Sequence, residues 1–216
     1  MNQHSPQNTK IQHSKLSILS WNARNVLNKK NELEHLTLQV NPNIDMVLIQ
    51  ESRLKASQHF ELKGYKSLRK DHTEYIGLRG LLILIKQHVP YEICLEELGN
   101  NELEVQIIVV KLSVGPIYIV NLYASHDHIN INQWTKLYRF LVNKHHIIVG
   151  DHNAHHGSWS QALSNHRGNQ LKAKIDEYGL VILNDGSPTR LTPPNTRDTA
   201  PDLSLCSQSM STYTTW

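Results

Sequence analysis

The chain has 216 residues, with 22 Lys+Arg against 19 Asp+Glu, 14 histidines and two cysteines. That length suits one sizeable α/β domain and leaves too little chain for two. The slight basic excess is compatible with a polyanionic partner but does not demand one. Cys94 and Cys206 lie far apart without metal-ligand spacing, which argues against a disulfide framework or a thiolate zinc site. No apolar run reaches membrane length and residues 1–15 are polar, so a soluble, intracellular protein without a signal peptide is expected.

Residues 1–15 carry almost no apolar content and read as a disordered lead-in, leaving 16–216 as the domain. Leu16–Asn22 alternates as a strand, with Asn22 at its carboxyl end. Leu33, Leu36 and Val40 stand at helical spacing between Asn28 and Asn41, and Pro42 stops the run. Asp45–Glu51 is a second apolar strand ending in Gln-Glu, which makes the opening a β-α-β unit. From Tyr65 to Asn121 the texture turns antiparallel. Strands are predicted over Gly80–Ile85, Tyr91–Leu95, Leu103–Ser113 and Pro116–Asn121, with Gly115-Pro116 as a hairpin turn. A helix follows from about Asn130 to Asn143, with Trp134, Leu137, Tyr138 and Leu141 on one face. Later come a helix over Gly168–Tyr178, a strand over Leu180–Leu183, a turn at Ser187–Arg190 and a strand over Asp202–Cys206.

Residues 146–159 organise the rest. Ile147, Ile148 and Val149 form an apolar run that stops at Gly150, the pattern of a buried strand meeting a tight turn. Asp151 and Asn153 emerge together at its carboxyl end, where α/β sheets place their chemistry. Five histidines (145, 146, 152, 155 and 156) crowd this corner. Their spacing matches no zinc-hydrolase pattern, and solvated or DNA-facing histidines are the better reading. The early Asp-x-His and later Gly-Asn-His-Asp/Glu of a calcineurin-like metallophosphatase are also absent.

Asn22, Glu51, Tyr123, Asp151, Asn153 and Asp202 all stand at strand ends. Singly each has an ordinary explanation as a turn or solvated-rim residue. Together they are a hard-oxygen set without thiolate, suited to Mg²⁺ or Mn²⁺ held by one or two carboxylates. Phosphate-ester hydrolysis needs such an ion and a group to orient the attacking water. As strand-end groups they are expected on an open, solvent-exposed rim.

Trp21-Asn22, Gln50-Glu51, Asn121-Leu122-Tyr123, Gly150-Asp151-His152-Asn153-Ala154-His155-His156 and Pro188-Thr189…Asp202-Leu203 occur in the order of the endonuclease/exonuclease/phosphatase superfamily, which the chain resembles from Leu16 to Trp216. Asn-Ala-His-His-x-x-Trp and Asn165-His166-Arg167-Gly168-x-x-Leu171 are similar to the apurinic-endonuclease-like domain of non-LTR (LINE, jockey-type) retrotransposons. The resemblance implies a four-layer α/β sandwich of two mixed, mainly antiparallel sheets with outer helices. It also implies a Mg²⁺-dependent endonuclease that nicks DNA for target-primed insertion, located in the nucleus and joined to a reverse transcriptase domain. Glu51 then resembles the principal metal ligand, with Asn22 helping to hold metal and phosphate. Tyr123 and Thr189 resemble phosphate contacts. Asp151 resembles the catalytic acid, Asn153 its orienting partner, and Asp202 the carboxylate that orients a catalytic histidine.

Two departures accompany the likeness. Position 152 is His where the family usually has Phe, and no Ser-Asp-His motif follows Asp202. That motif and the family's last strand are therefore expected to be missing. A repair nuclease or phosphatase on the same fold, and an inactive nucleic-acid-binding fragment, stand as alternatives.

Overall fold

The computed structural model describes residues 15–125, 129–161, 163–190 and 199–216. The expected disordered lead-in falls almost wholly outside these residues. Strand β1 (Ile18–Asn22) pairs in parallel with β2 (Met46–Gln50), and α1 (Lys30–His35) lies in the crossover between them, the β-α-β opening that was expected. β3 (Tyr65–Lys70) and β4 (Leu81–Lys86) complete a four-stranded sheet in the order β1-β2-β4-β3. β5 (Tyr91–Ile93), β6 (Leu103–Leu112), β7 (Gly115–Ala124), β8 (His145–Asp151), β9 (Leu180–Ile182) and β10 (Asp202–Ser207) form a six-stranded sheet in the order β5-β6-β7-β8-β10-β9. Helices α2 (Ile131–Leu141) and α3 (His166–Glu177) cover its outer face.

Side-chain alternation builds the layers. In β2, Met46 and Leu48 point between the sheets, whereas Val47 and Ile49 point outward under α1. Both faces are buried, so the strand is apolar throughout. Across the sandwich, Ile117, Ile119 and Val149 meet Met46, Leu48, Ile83 and Ile85. Trp134, Leu137, Tyr138 and Leu141 of α2 pack on Val120, Leu122, Ile148 and Leu205 on the far side, as the 3.6-residue pattern requires. This is the four-layer sandwich the sequence implied.

Two buried amides set the relation of one sheet to the other. Gln50 and Asn121 are both fully buried, and the Gln50 amide donates to Asn121 Oδ1 at 2.7 Å. Asn121 Nδ2 donates in turn to Ile49 O at 3.1 Å and Leu82 O at 3.3 Å. A slip of one sheet past the other would strand these groups without partners, at roughly 1–3 kcal/mol each.

Several local expectations are corrected. The first helix widens into a π-type turn over Leu36–Val40, which brings Thr37 inward and leaves Val40 61% exposed. Thr37 is tolerated there because its hydroxyl donates to Leu33 O at 2.7 Å. The β6–β7 hairpin turns at Ser113-Val114. Gly115 and Pro116 already belong to β7, opposite Leu112 and Lys111. β3 was not assigned from sequence, since Tyr65–Lys70 is too charged to read as a strand. Gly150 is not a turn either. It lies within β8 at φ 151°, and a Cβ there would meet Leu122 O at 1.9 Å, so close approach to β7 demands glycine.

Between the sheets, beside β1, runs a cavity of about 700 Å³. Ile18, Ile117, Ile119, Ile147, Val149 and Met210 line its apolar length, and the polar strand ends close one mouth. Among the described residues no strand pairs with the outer edge of β1. No helix among them is long and apolar enough to cross a membrane.

Candidate active site

The polar mouth gathers Asn22, Glu51, Asp151, Asn153, Thr189 and Asp202, with Arg24 and Arg190 also lining the cavity. Asn22 is the hinge of the arrangement. Its Nδ2 donates to Glu51 Oε1 at 2.8 Å and to Asp151 Oδ2 at 2.9 Å, so one amide spans carboxylates from the two sheets. The parallel β1–β2 register sets Asn22 beside Gln50, which carries Glu51 to the same rim.

Glu51 is not the solvent-exposed rim group expected. It is only 7% exposed and has a left-handed backbone at φ 48°. The conformation is strained for a non-glycine residue, and Ser52 and Arg53 hold it by donating their N–H groups to Gly80 O and Arg79 O. Burial pushes the Glu51 carboxyl up, but hydrogen bonds from Asn22 and Arg53 and the Arg53 and Arg24 charges outweigh it. The group therefore stays below the usual glutamate range.

Tyr123 lies inside β7, opposite Asp151 on one side and Glu104 on the other. Its hydroxyl bonds Glu51, and burial together with the Glu51 and Asp151 charges pushes its pKa far up, so it stays protonated as a donor. Asp151, 6% exposed, accepts the Asn153 N–H on Oδ1 at 2.9 Å. Asn153 sits at φ 46° with its side chain donating to Ala124 O at 2.8 Å, which locks the residue that holds Asp151.

Asp202 is placed differently. It faces Asp151 across the β8–β10 register, and its Oδ1 is buried without a hydrogen-bond partner. Its backbone N–H donates to Thr189 Oγ1 at 3.3 Å. Burial and the Asp151 charge raise its pKa to about 6 despite Thr189 and Arg190.

The histidine-rich stretch is mostly scaffold. His152 is fully buried, stacked on Trp134 with ring centroids 5.5 Å apart and planes 9° apart. Trp159 is buried and donates to Ala154 O at 3.2 Å. Asn165 caps α3 through Gly168 N at 2.7 Å and accepts the His155 N–H at 3.3 Å. Arg167 donates to Ser125 O at 2.7 Å. A Cβ on Gly168 would meet His155 O at 1.8 Å, which is why that position is glycine. The signature residues thus bracket the loop that carries Asp151 and Asn153. Burial lowers the pKa of His155, with the Asp151 charge opposing the shift and the Arg190 charge adding to it.

The donor chemistry fits a hard divalent cation. Two carboxylates share one amide donor, and their charges add to the burial that raises the Tyr123 pKa. No group of three or more His, Cys, Asp or Glu with ligating geometry occurs among the described residues, so such an ion would rest on few protein ligands and keep water. Sequence reasoning assigned no role to Glu104, a buried acid raised to about 7 by desolvation. It overlooked Arg53 as well, the partner of Glu51. Alternation along β6 puts Glu104 on the same face as half-buried Gln106, a signal that could have found it.

The family described as "Endonuclease-reverse transcriptase" matches residues 117–216. The RNA-directed DNA polymerase from mobile element jockey of Drosophila melanogaster is 26% identical over 175 residues, 81% of this chain and 19% of that protein. The solved endonuclease domain of TRAS1, a telomere-specific non-LTR retrotransposon, superposes with a TM-score of 0.71 at 22% identity, over 91% of this chain and 87% of that one. In sequence over the matched segment and in fold, the chain is similar to the LINE endonuclease branch of the endonuclease/exonuclease/phosphatase superfamily. The AP endonuclease LMAP from Leishmania major shares the fold at a TM-score of 0.69 and 13% identity, over 92% of this chain and 80% of that one. The chain spans about a fifth of the curated relatives it matches, at 19% of the jockey polymerase. The chain therefore corresponds to one part of those proteins.

Proposed function

We propose that this domain nicks DNA by hydrolysing a phosphodiester bond with Mg²⁺ or Mn²⁺. The observation that carries the reading is the Asn22 amide bridging Glu51 and Asp151, because it joins an anion suited to a metal with one suited to moving a proton. Glu51, kept charged by its partners, and Asn22 would hold the ion. When bound, the ion neutralises phosphoryl charge. Tyr123 stays protonated and donates to a phosphate oxygen. Asp151, fixed by Asn153, accepts a proton from the attacking water as the water oxygen bonds to phosphorus and the bond to the leaving oxygen breaks, the leaving oxygen taking a proton from solvent. Thr189 offers a hydroxyl to the neighbouring phosphate.

The curated relatives are RNA-directed DNA polymerases, which supports a nick that serves target-primed insertion in the nucleus with a reverse transcriptase domain as partner. The test is nicking of supercoiled plasmid in Mg²⁺ and in EDTA, alongside Asp151→Ala. Mg²⁺-dependent nicking that falls about 10²–10⁴-fold in the variant is expected. Nicking that survives EDTA, or that Asp151→Ala leaves unchanged, rules the reading out.

A further inference from the structure

Glu104 is a buried acid that the reaction as drawn does not use. Alternation places it on the inter-sheet face of β6 with Gln106, Ile108 and Val110, and the last two belong to the core between the sheets. It is 6% exposed, and its Oε1 is buried without a hydrogen-bond partner. The carboxyl accepts the Gly80 N–H and stands near the Arg79 charge. Arg79 is itself fixed, donating to Asn101 O at 2.7 Å with its guanidinium 4.0 Å from the Tyr75 ring centroid. Desolvation raises the Glu104 pKa to about 7 against the Arg79 and Lys70 charges and that hydrogen bond. The acid is therefore held at a cost to folding that an apolar side chain of like volume would avoid.

The bond to Gly80 gives the acid a use. Gly80 O accepts the Ser52 N–H at 2.9 Å, and Arg79 O accepts the Arg53 N–H at 3.2 Å. Glu51 and Arg53, on either side of Ser52, both have left-handed backbones, at φ 48° and 53°. Those two bonds therefore restrain a strained turn. The Arg79–Gly80 peptide is planar, so its C=O and N–H move together. It presents the C=O to Arg53 and the N–H to Glu104, and the carboxyl thereby sets its tilt. Gly80 leaves little slack, since a Cβ there would meet Ser52 Oγ at 3.0 Å. Glu104 also stands directly opposite Tyr123 in the β6–β7 register, and the Tyr123 hydroxyl bonds Glu51. One buried acid thus stands behind two supports of the Glu51 carboxylate.

Resting on the nuclease reading of Glu51, we propose that Glu104 is a positioning residue: by gripping the Arg79–Gly80 peptide it fixes the turn that presents the Glu51 carboxylate to a divalent cation. Enclosed between the sheets, it acts through Glu51 and not on the substrate. What position 104 must supply is an oxygen that accepts the Gly80 N–H. Glutamine carries one and leucine does not.

The experiment compares the full chain with its Glu104→Leu and Glu104→Gln variants. In the metal-free protein, amide hydrogen exchange at Ser52 and Arg53 should quicken about tenfold in Glu104→Leu and stay at the wild-type rate in Glu104→Gln. Mn²⁺ binding without DNA, read by electron paramagnetic resonance, should weaken roughly tenfold in Glu104→Leu. Its kcat for plasmid nicking should fall about 10–100-fold with KM for DNA unchanged. Glu104→Gln should restore affinity and kcat to within about threefold of wild type. Urea unfolding should find Glu104→Leu no less stable than wild type, because the desolvated acid is gone. Exchange that quickens across both sheets in step with lost stability would reveal a merely structural role and overturn the proposal. Wild-type exchange and Mn²⁺ affinity in Glu104→Leu overturn it as well, and so does a Glu104→Gln as impaired as Glu104→Leu. In each of these cases an active wild type leaves the nuclease reading standing. A wild type that neither binds Mn²⁺ nor nicks overturns that reading and the metal role of Glu104 with it.

Discussion

Glu51 and Asp202 are carboxylates on opposite walls of one cleft, and they are held in opposite ways. Glu51 has its oxygens answered by Asn22 and Arg53 and stays below the usual carboxylate range. Asp202 has an orphan oxygen, faces Asp151 and is raised to about 6. The two environments push the acids apart, one toward the charged form and the other toward the protonated form. The Glu51 side of the cleft is completed by its partners.

Removing the completed side should have the largest effect. Glu51→Gln keeps the shape but loses the charge that Arg53 and a cation would meet. Plasmid nicking is expected to fall by about 10²–10³-fold. Glu51 has a lowered pKa, so its stabilisation is present above the unfolded value of 4.5 and fades as pH falls through it. The variant should therefore be less stable than wild type by about 1–2 kcal/mol at pH 7 and nearly equal to it at pH 3, as urea unfolding at the two pH values would reveal. Equal stability at pH 7 would mean the Arg53 pair is only a surface contact.

Asp202→Asn should show the opposite sign. The folded protein prefers the protonated acid, so no penalty exists below pH 3.8, and one builds as pH rises through about 6. In EDTA at pH 7.5 the variant should melt higher by roughly 2–6 °C, with no gain at pH 3.5. Adding Mg²⁺ should narrow the difference if the ion offsets the local negative charge. A lower Tm at pH 7.5 would show that Asp202 has a partner in solution that satisfies its charge.

How much of this was legible follows from the kind of signal each residue gives. Periodicity placed Trp134, Leu137, Tyr138 and Leu141 on one buried face, and the apolar runs of β2 and β8 announced themselves. The strand-end polar residues came together because strands that begin and end in register share a rim. The Gln50–Asn121 bridge gave no comparable signal, since it depends on a contact between strands distant in sequence, and the Arg53–Glu51 pair depends on the left-handed backbone at Glu51 rather than on any local pattern. Gly150 was read as a turn because local sequence cannot distinguish a glycine needed for φ from one needed for close approach. Glu51 was expected in solvent because the groups that meet it, Asn22 of β1 and Tyr123 of β7, are distant in sequence.

The smallest expected effect concerns the floor under Asp151. His152 Nδ1 faces Gly150 O at 2.9 Å and must carry the ring proton, which leaves Nε2 as a buried acceptor without a partner. Burial lowers the pKa to about 4, with the Arg167 charge adding to it and the Gly150 carbonyl opposing it. His152→Phe keeps the stack on Trp134, removes the orphan nitrogen and forfeits one hydrogen bond. Those changes nearly cancel, so the difference at pH 7.5 should stay within about 1 kcal/mol. Below pH 6.5 the balance tips, because the unfolded histidine takes up a proton that the buried ring refuses until about pH 4. Wild-type stability should therefore fall relative to the variant by about 1–2 kcal/mol between pH 6.5 and pH 5. Urea unfolding of both proteins across that window measures the slope. Parallel curves would mean that the ring is reached by water and is not the dry support of the catalytic loop.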